Sequence, residues 1–446
     1  MFTSIGYHTF VISKNLTQEE AEALWKSFKQ YRNNTGEIYI EGPCEYDKDP
    51  FARHFEIKYV GKYKGIWWKM RFSSRGFCVD NDFKPCSIKA VINPKILSEQ
   101  KSYIVAAKAD SLEKVRECYD HEAAKISPIL GGFYNYSLNR IDYCINFDVS
   151  ELKCGNSLEL KEELPKRIMQ LIKWSDIPDK YHEEYREENQ FYLKSDSVVV
   201  NCYWKYAELK KDFPNCKDIK KSYDIIRFEV QYKYPKVSTV LRSVRKEITY
   251  QRRQQMKEWK SLGGSEFHEK QSTADEERAK KLTAVREKVC LRDEIVIMRR
   301  MLSDEECSDV IEKYFSEIIK HGDYYTFDTA KRMIEAKTSS WDKAVRLTDA
   351  LKMIRDSGGI TGAKKTLQKK ELETFRRSLR ELAKLKINPV TLPNEWGIEH
   401  IPNLLDNYYL IRAEEREREN EKQFYEEICR DYIRDCRKKG KTWWKF

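Results

Sequence analysis

Residues 5–13 alternate apolar and polar side chains, the period-two signature of a strand with one buried face. Thr17 then opens a capping box with Glu20, and Ala21, Leu24, Trp25, Phe28 and Tyr31 recur at helical spacing, which predicts an amphipathic helix. Short strand candidates follow at 37–41, 54–60, 65–72 and 87–93, with a helix expected near 111–127. Residues 137–149 alternate almost perfectly, a second amphipathic helix is expected near 158–174, and strands are expected at 197–209 and 223–233. This order predicts an α+β domain, an antiparallel sheet with packed helices, ending near residue 235.

After Pro235 helical patterning dominates, interrupted by Gly263-Gly264, by His321-Gly322-Asp323, by Ser357-Gly358-Gly359 and by Pro389, Pro393 and Pro402. Helices are expected over 241–261, 274–301, 304–320, 326–337, 341–356 and 369–386, with a charged terminal helix over 410–438 and a linker around 265–277. The expected organisation is therefore an α+β domain at 1–235, a basic helical connector at 236–302, a mainly α-helical domain at 303–410 and a charged tail at 411–446. No internal repeat is evident.

A chain of 446 residues is long enough for several domains and a core without disulfide staples. No stretch approaches the roughly 18–20 consecutive apolar residues of a membrane span, and the N-terminal sequence lacks the pattern of a signal peptide, so no membrane partner is expected. The 12 cysteines include no C-x-x-C pair, which favours reduced thiols in a cytoplasmic setting over a zinc site. Lys and Arg number 83 against 72 Asp and Glu, a net charge of +11 that makes a polyanion the natural partner. Aromatics at 13%, 27 of them tyrosines, are too frequent for a disordered basic protein and supply rings able to stack on bases.

The candidate chemistry lies on the last three strands of the first domain. Alternation separates Ile141, Tyr143, Ile145 and Phe147 from Arg140, Asp142, Cys144, Asn146 and Asp148, and Ile226, Phe228, Val230 and Tyr232 from Arg227, Glu229 and Gln231. In 199–206 it places Asn201, Tyr203 and Lys205 on one face. Such rows also describe a solvated face of Arg–carboxylate pairs. If they converge, Asp142 and Glu229 offer two hard oxygen ligands for Mg²⁺ or Mn²⁺, and Tyr203, beside Lys205, offers a phenolic oxygen for attack on phosphorus. Arg140 and Arg227 could then hold the flanking phosphates.

The ordered set NRIDYCINFD at 139–148, NCYWKYAEL at 201–209 and IIRFEVQYK at 225–233 resembles the replication initiators of filamentous phages, the gene II protein family of rolling-circle nickases. The resemblance covers roughly 85–235 and resumes at 374–409. It implies that Tyr203 is the nicking tyrosine, with Lys205 and Glu208 completing its motif, and that Asp142 and Glu229 match acidic positions of the flanking motifs. Tyr206 is a departure: on a helix it would share a face with Tyr203, whereas on a strand only Tyr203 aligns with Lys205. The hydrophobic-His-x-His motif of another widespread nickase class is absent, the seven histidines being scattered.

Basic residues cluster at the start of the connector, where Arg252 and Arg253 are the leading candidates for phosphate binding. The helices at 341–356 and 369–386 have the size of a helix-turn-helix pair, although the loop between them is long for one. Together these features point to a phage or plasmid rolling-circle initiation protein in the cytoplasm of a bacterial host. It would nick and rejoin one strand of origin DNA, bound both double- and single-stranded, through a metal-dependent 5′-phosphotyrosine intermediate, in concert with a host helicase and polymerase. The alternatives are a non-catalytic DNA-binding regulator and a metal-dependent nuclease that uses water.

Overall fold

In the computed structural model, which describes residues 4–44, 52–60, 64–72, 86–98, 103–152, 158–261, 293–414 and 417–418, the capping box forms as the sequence predicts. Thr17 Oγ1 accepts from the Glu20 N–H at 3.1 Å and Glu20 Oε2 accepts from the Thr17 N–H at 2.9 Å. This starts helix α1 (Gln18–Thr35), which Gly36 ends in the left-handed region at φ 65°. Its buried residues Ala21, Leu24 and Phe28 lie at helical spacing, and the Phe28 ring stands 5.9 Å from that of Trp68.

Packing divides the chain into two units, each built from two stretches: Met1–Asn146 with Pro178–Tyr314, and Phe147–Ile177 with Phe315–Phe446. This grouping departs from the contiguous boundaries expected at 235 and 302. The reason lies in the strand over 137–148, whose last two residues already belong with the second unit and lead into a helix at Leu158–Lys173.

The first unit holds ten strands: β1 (Ser4–Leu16), β2 (Ile38–Cys44), β3 (Arg53–Tyr59), β4 (Ile66–Phe72), β5 (Cys86–Ile92), β6 (Ser137–Asp148), β7 (Glu183–Arg186), β8 (Gln190–Lys194), β9 (Val198–Trp204) and β10 (Ile225–Tyr232). They form one sheet in the order β2-β3-β4-β5-β1-β6-β10-β9-β8-β7. The α+β class is thus as expected, and the three strands carrying the polar rows are neighbours in its middle. Strands β7 and β8 are additions to the expected set. The strand expected over 197–209 stops at Trp204, whose N–H donates to Asn189 O at 3.0 Å. Helix formers follow, and the short helix Lys205–Asp212 turns Lys205 and Leu209, four residues apart, into the core.

The apolar rows of β6 and β10 are covered. Tyr143 and Tyr232 meet edge to face at 5.2 Å, and Tyr143 Oη donates to Met301 O at 3.0 Å, on the helix Asp293–Met301. The helix Tyr234–Ser261 begins earlier than expected, with Pro235 in its first turn, and buries Val237, Leu241, Val244 and Ile248 at helical spacing.

In the second unit, Ala330, Ile334, Ala344, Leu347, Leu351, Leu382 and Ile387 form one core between the helices Phe327–Lys337, Trp341–Asp356 and Lys369–Lys384. A short helix, Ile360–Thr366, falls in the Gly-rich stretch expected to be a loop. It starts at Gly359, where φ is 116° and a Cβ would lie 2.6 Å from Trp174 O. Only glycine fits there. Among the described residues no helix is long and apolar enough to cross a membrane. The Gly263-Gly264 break, the linker, most of the helix expected over 274–301 and the chain beyond 418 lie outside the described residues.

Candidate functional site

The register of β9 against β10 sets Tyr203 opposite Arg227 and Asn201 opposite Glu229. Directly opposed residues share a sheet face, so the polar rows of these strands coincide. Asp142 on β6 joins them: Arg140, Asp142, Asn201, Tyr203, Glu229 and Gln231 line one cavity of about 480 Å³. The rows converge.

Within it, Tyr203 Oη donates to Glu229 Oε2 at 3.4 Å. Burial, then the negative charges of Glu208 and Glu229, hold the phenol well above its ordinary pKa. Burial, then the neighbouring Asp142, pushes Glu229 up to about 7. Asp142 is 2% exposed and is also raised, chiefly by burial, with Arg140 pulling the other way through an Nη2–Oδ2 contact of 2.7 Å. The buried Asp142 and the half-buried Glu229 thus repel each other, and among the described residues Asp142 Oδ1 has no hydrogen-bond partner.

Lys205, at the first residue of its helix, is 1% exposed and ion-paired to Glu208. Its Nζ lies 5.6 Å from the centre of the Tyr203 ring. Burial, then the charge of Arg227, lowers Lys205 to about 8. The lysine therefore reaches Tyr203 from a helix start, not by strand alternation. Tyr206, three residues after Tyr203, is directed elsewhere, its ring packing at 5.2 Å on Trp204 and 5.1 Å on Tyr223.

Arg227 is not placed to hold a backbone phosphate. It is fully buried, donating through Nε to Asn146 Oδ1 at 2.7 Å and through Nη2 to Ile104 O at 2.8 Å and Tyr103 O at 3.2 Å. Its charge acts from beneath the site, and Cys144, pushed up to about 12 by burial, stays a protonated thiol beside it. Arg140 keeps 32% of its side chain exposed at the cavity. Arg252 is half-buried and Arg253 exposed on the helix Tyr234–Ser261.

His8 also lines the cavity, a residue that sequence alternation does not single out. The β1–β6 pairing skips from Tyr7↔Tyr143 to Thr9↔Asp142, a bulge that takes His8 out of the period-two pattern. Its pKa is well below normal through burial and the charges of Arg227, Lys205 and Arg140, so the imidazole is neutral. In the sequence the break shows as the adjacent polar pair His8-Thr9 followed by the apolar run Phe10-Val11-Ile12, where the pairing shifts a second time between Val11 and Ile12.

Among the described residues no group of three or more His, Cys, Asp or Glu is gathered as a metal cage. Mg²⁺ usually takes only one or two carboxylates from the protein and completes its shell with water and substrate phosphate. Asp142 and Glu229, mutually repelling and with one orphaned oxygen, are a donor set of that kind.

No family model matches the chain, and no curated protein does. Among solved structures, a rolling circle replication initiator protein from Geobacillus stearothermophilus aligns over 53% of this chain and 77% of its own, at 11% identity and a TM-score of 0.25.

Proposed function

We propose that the protein is a rolling-circle replication initiator that nicks and rejoins one DNA strand with Tyr203. The observation that carries this reading is the meeting of Tyr203, Glu229 and Asp142 on one polar face of the sheet, with Lys205 reaching the Tyr203 ring from the start of the next helix. Tyr203 Oη attacks the scissile phosphorus, the bond to the 3′ oxygen breaks, and the 5′ phosphate stays on the tyrosine. The energy of the phosphodiester is thereby kept for rejoining. Glu229 is the group to which the phenol already donates, so the proton leaves toward it. Lys205, still largely protonated at neutral pH, stabilises the charge that develops on the phenolic oxygen, and Glu208 holds the ammonium in place.

Asp142 and Glu229 would hold a Mg²⁺ or Mn²⁺ ion, which when bound offsets charge on the transferring phosphate. Arg140, at the cavity mouth, is the candidate phosphate clamp. Duplex origin DNA would lie along Arg252 and Arg253. In the second unit the helix Lys369–Lys384 is basic by itself, with Lys369, Arg376, Arg377, Arg380 and Lys384 all exposed. The place of action would be the cytoplasm of a bacterial host, with a helicase and a polymerase acting on the nicked product.

The test is incubation of the full chain with supercoiled DNA of its own replicon and Mg²⁺ or Mn²⁺. A covalent adduct through Tyr203 supports the reading. Cutting without an adduct shows a water-using nuclease, and binding without cutting shows a regulator.

A further inference from the structure

A second cavity of about 480 Å³ begins where the first ends, because His8, Thr9 and Glu208 wall both. Its size falls in the roughly 300–1,000 Å³ range of sites that enclose a small ligand. Its lining differs sharply from the first, with five rings from separate parts of the chain: Tyr39 on β2, Tyr59 on β3, Trp67 on β4, Tyr103, and Phe213 just after the helix that carries Lys205. Tyr103 and Phe213 already meet each other at 4.7 Å, their planes tilted by 38°.

The charges at its wall are spent. Lys58 Nζ lies 2.6 Å from Glu41 Oε2 and 2.7 Å from Glu56 Oε2, and Lys205 is paired to Glu208. An anion gains little from lysines so neutralised, whereas a flat, uncharged, polar-edged ring gains a stacking partner on several sides. Phe213 at 36% exposure and Tyr39 at 43% form the rim through which such a ring would enter.

We infer that this aromatic cavity binds an unpaired nucleobase of single-stranded DNA, flanking the phosphate held in the polar cavity. The inference rests on the nicking reading for its location, since a nucleotide next to the scissile phosphate is one step from the shared wall. A base can enter only when it is out of the duplex stack, so the cavity selects a melted strand over a paired one.

The experiment uses the full-length Tyr203→Phe protein, titrated by fluorescence anisotropy with a short single-stranded oligodeoxyadenylate and with a strand of equal length made of abasic deoxyribose phosphates. Phe213→Leu and Tyr39→Leu, both at exposed rim positions where the fold tolerates change, should each weaken the oligodeoxyadenylate by at least roughly 5-fold, the lower end of what one base–ring stack is worth. The abasic strand should bind all variants alike, and Phe213→Trp should retain the tight binding. Equal losses on both strands, no loss on either, or a hairpin duplex that competes as well as the single strand would each overturn the inference. The two readings separate cleanly. Failure of adduct formation with base-selective losses intact removes the nicking reading and leaves the base cavity, and the reverse outcome removes the cavity and leaves the nickase.

Discussion

The hydroxyl of Tyr203 and the carboxylate of Glu229 meet at 3.4 Å across two paired strands, although 26 residues separate them in the chain. The meeting depends on register. Tyr203 lies opposite Arg227, and Glu229 is two residues further along the same face, so a one-residue slip would send one of the two groups to the apolar side.

Tyr203→Phe removes the phenolic oxygen and keeps the ring. Origin binding should persist with no cut and no adduct, whereas Tyr206→Phe, whose ring packs on Trp204 and Tyr223, should nick like the parent. Mapping the labelled peptide of the adduct checks this. A label on Tyr206 would refute the assignment.

Asp142 and Glu229 both have raised folded pKa values, so each costs stability where it is charged, and Asp142→Asn and Glu229→Gln should each raise the melting temperature measured in a chelator at neutral pH or above. Added Mg²⁺ or Mn²⁺ should stabilise the parent, since a ligand that binds only the folded state shifts unfolding, and should leave the double variant unmoved. A double variant that gains as much as the parent from the ion would place the metal elsewhere.

Lys205 has a folded pKa lowered to about 8, so its charge is complete well below that pH and is lost as pH rises through it. If the cation stabilises the phenolate, single-turnover nicking should fall on the alkaline side with a midpoint near 8. Lys205→Arg should carry that limb to higher pH, because a guanidinium stays protonated throughout. A parent profile that keeps rising well beyond that midpoint would rule out the cationic role.

Replacing Arg252 and Arg253 with Ala should weaken duplex binding evenly across sequences. The slope of log affinity against log salt should fall by about 2, on the order of 0.9 for each phosphate no longer neutralised. An unchanged slope would leave that helix a solvated surface.

Arg227→Ala should destabilise the first unit by about 3–5 kcal/mol, the cost of breaking a buried charged network. It strands Asn146 and the carbonyls of Tyr103 and Ile104 without their donor. Urea denaturation of the parent and variant measures it, and a loss under about 1 kcal/mol would show that the network carries little.

Much of the site is legible because strands write their faces into the sequence at period two. Asp142, Tyr203 and Glu229 stand where alternation and motif order put them, on neighbouring strands. What alternation cannot register is a change of period. The bulge at His8 and the turn into a helix at Lys205 both break it, and both break it at the site. The role of Arg227 is not legible, because an arginine on a polar row reads the same whether it faces solvent or two backbone carbonyls. Strand β7, at the sheet edge, leaves little trace because Glu183–Arg186 is short and mostly polar, and β8 (Gln190–Lys194), although it alternates and buries Phe191 and Leu193, is only five residues long.

Because each unit is assembled from two separated stretches, neither can be excised as a continuous piece of chain. A fragment ending at residue 235 would keep the strands that carry Tyr203 and Glu229 but lose Met301, whose carbonyl anchors Tyr143, and Tyr314, whose ring stands 6.0 Å from that of Tyr232. On the ribosome the same order means that the ten-stranded sheet waits for its covering helices until Tyr314 has emerged. By then the residues 147–177 have already been made, and their own partners, from Phe315 onward, have not. The nascent chain must therefore carry two half-built bodies at once, which makes the interval of synthesis between residues 147 and 314 the period in which it most needs shielding from aggregation.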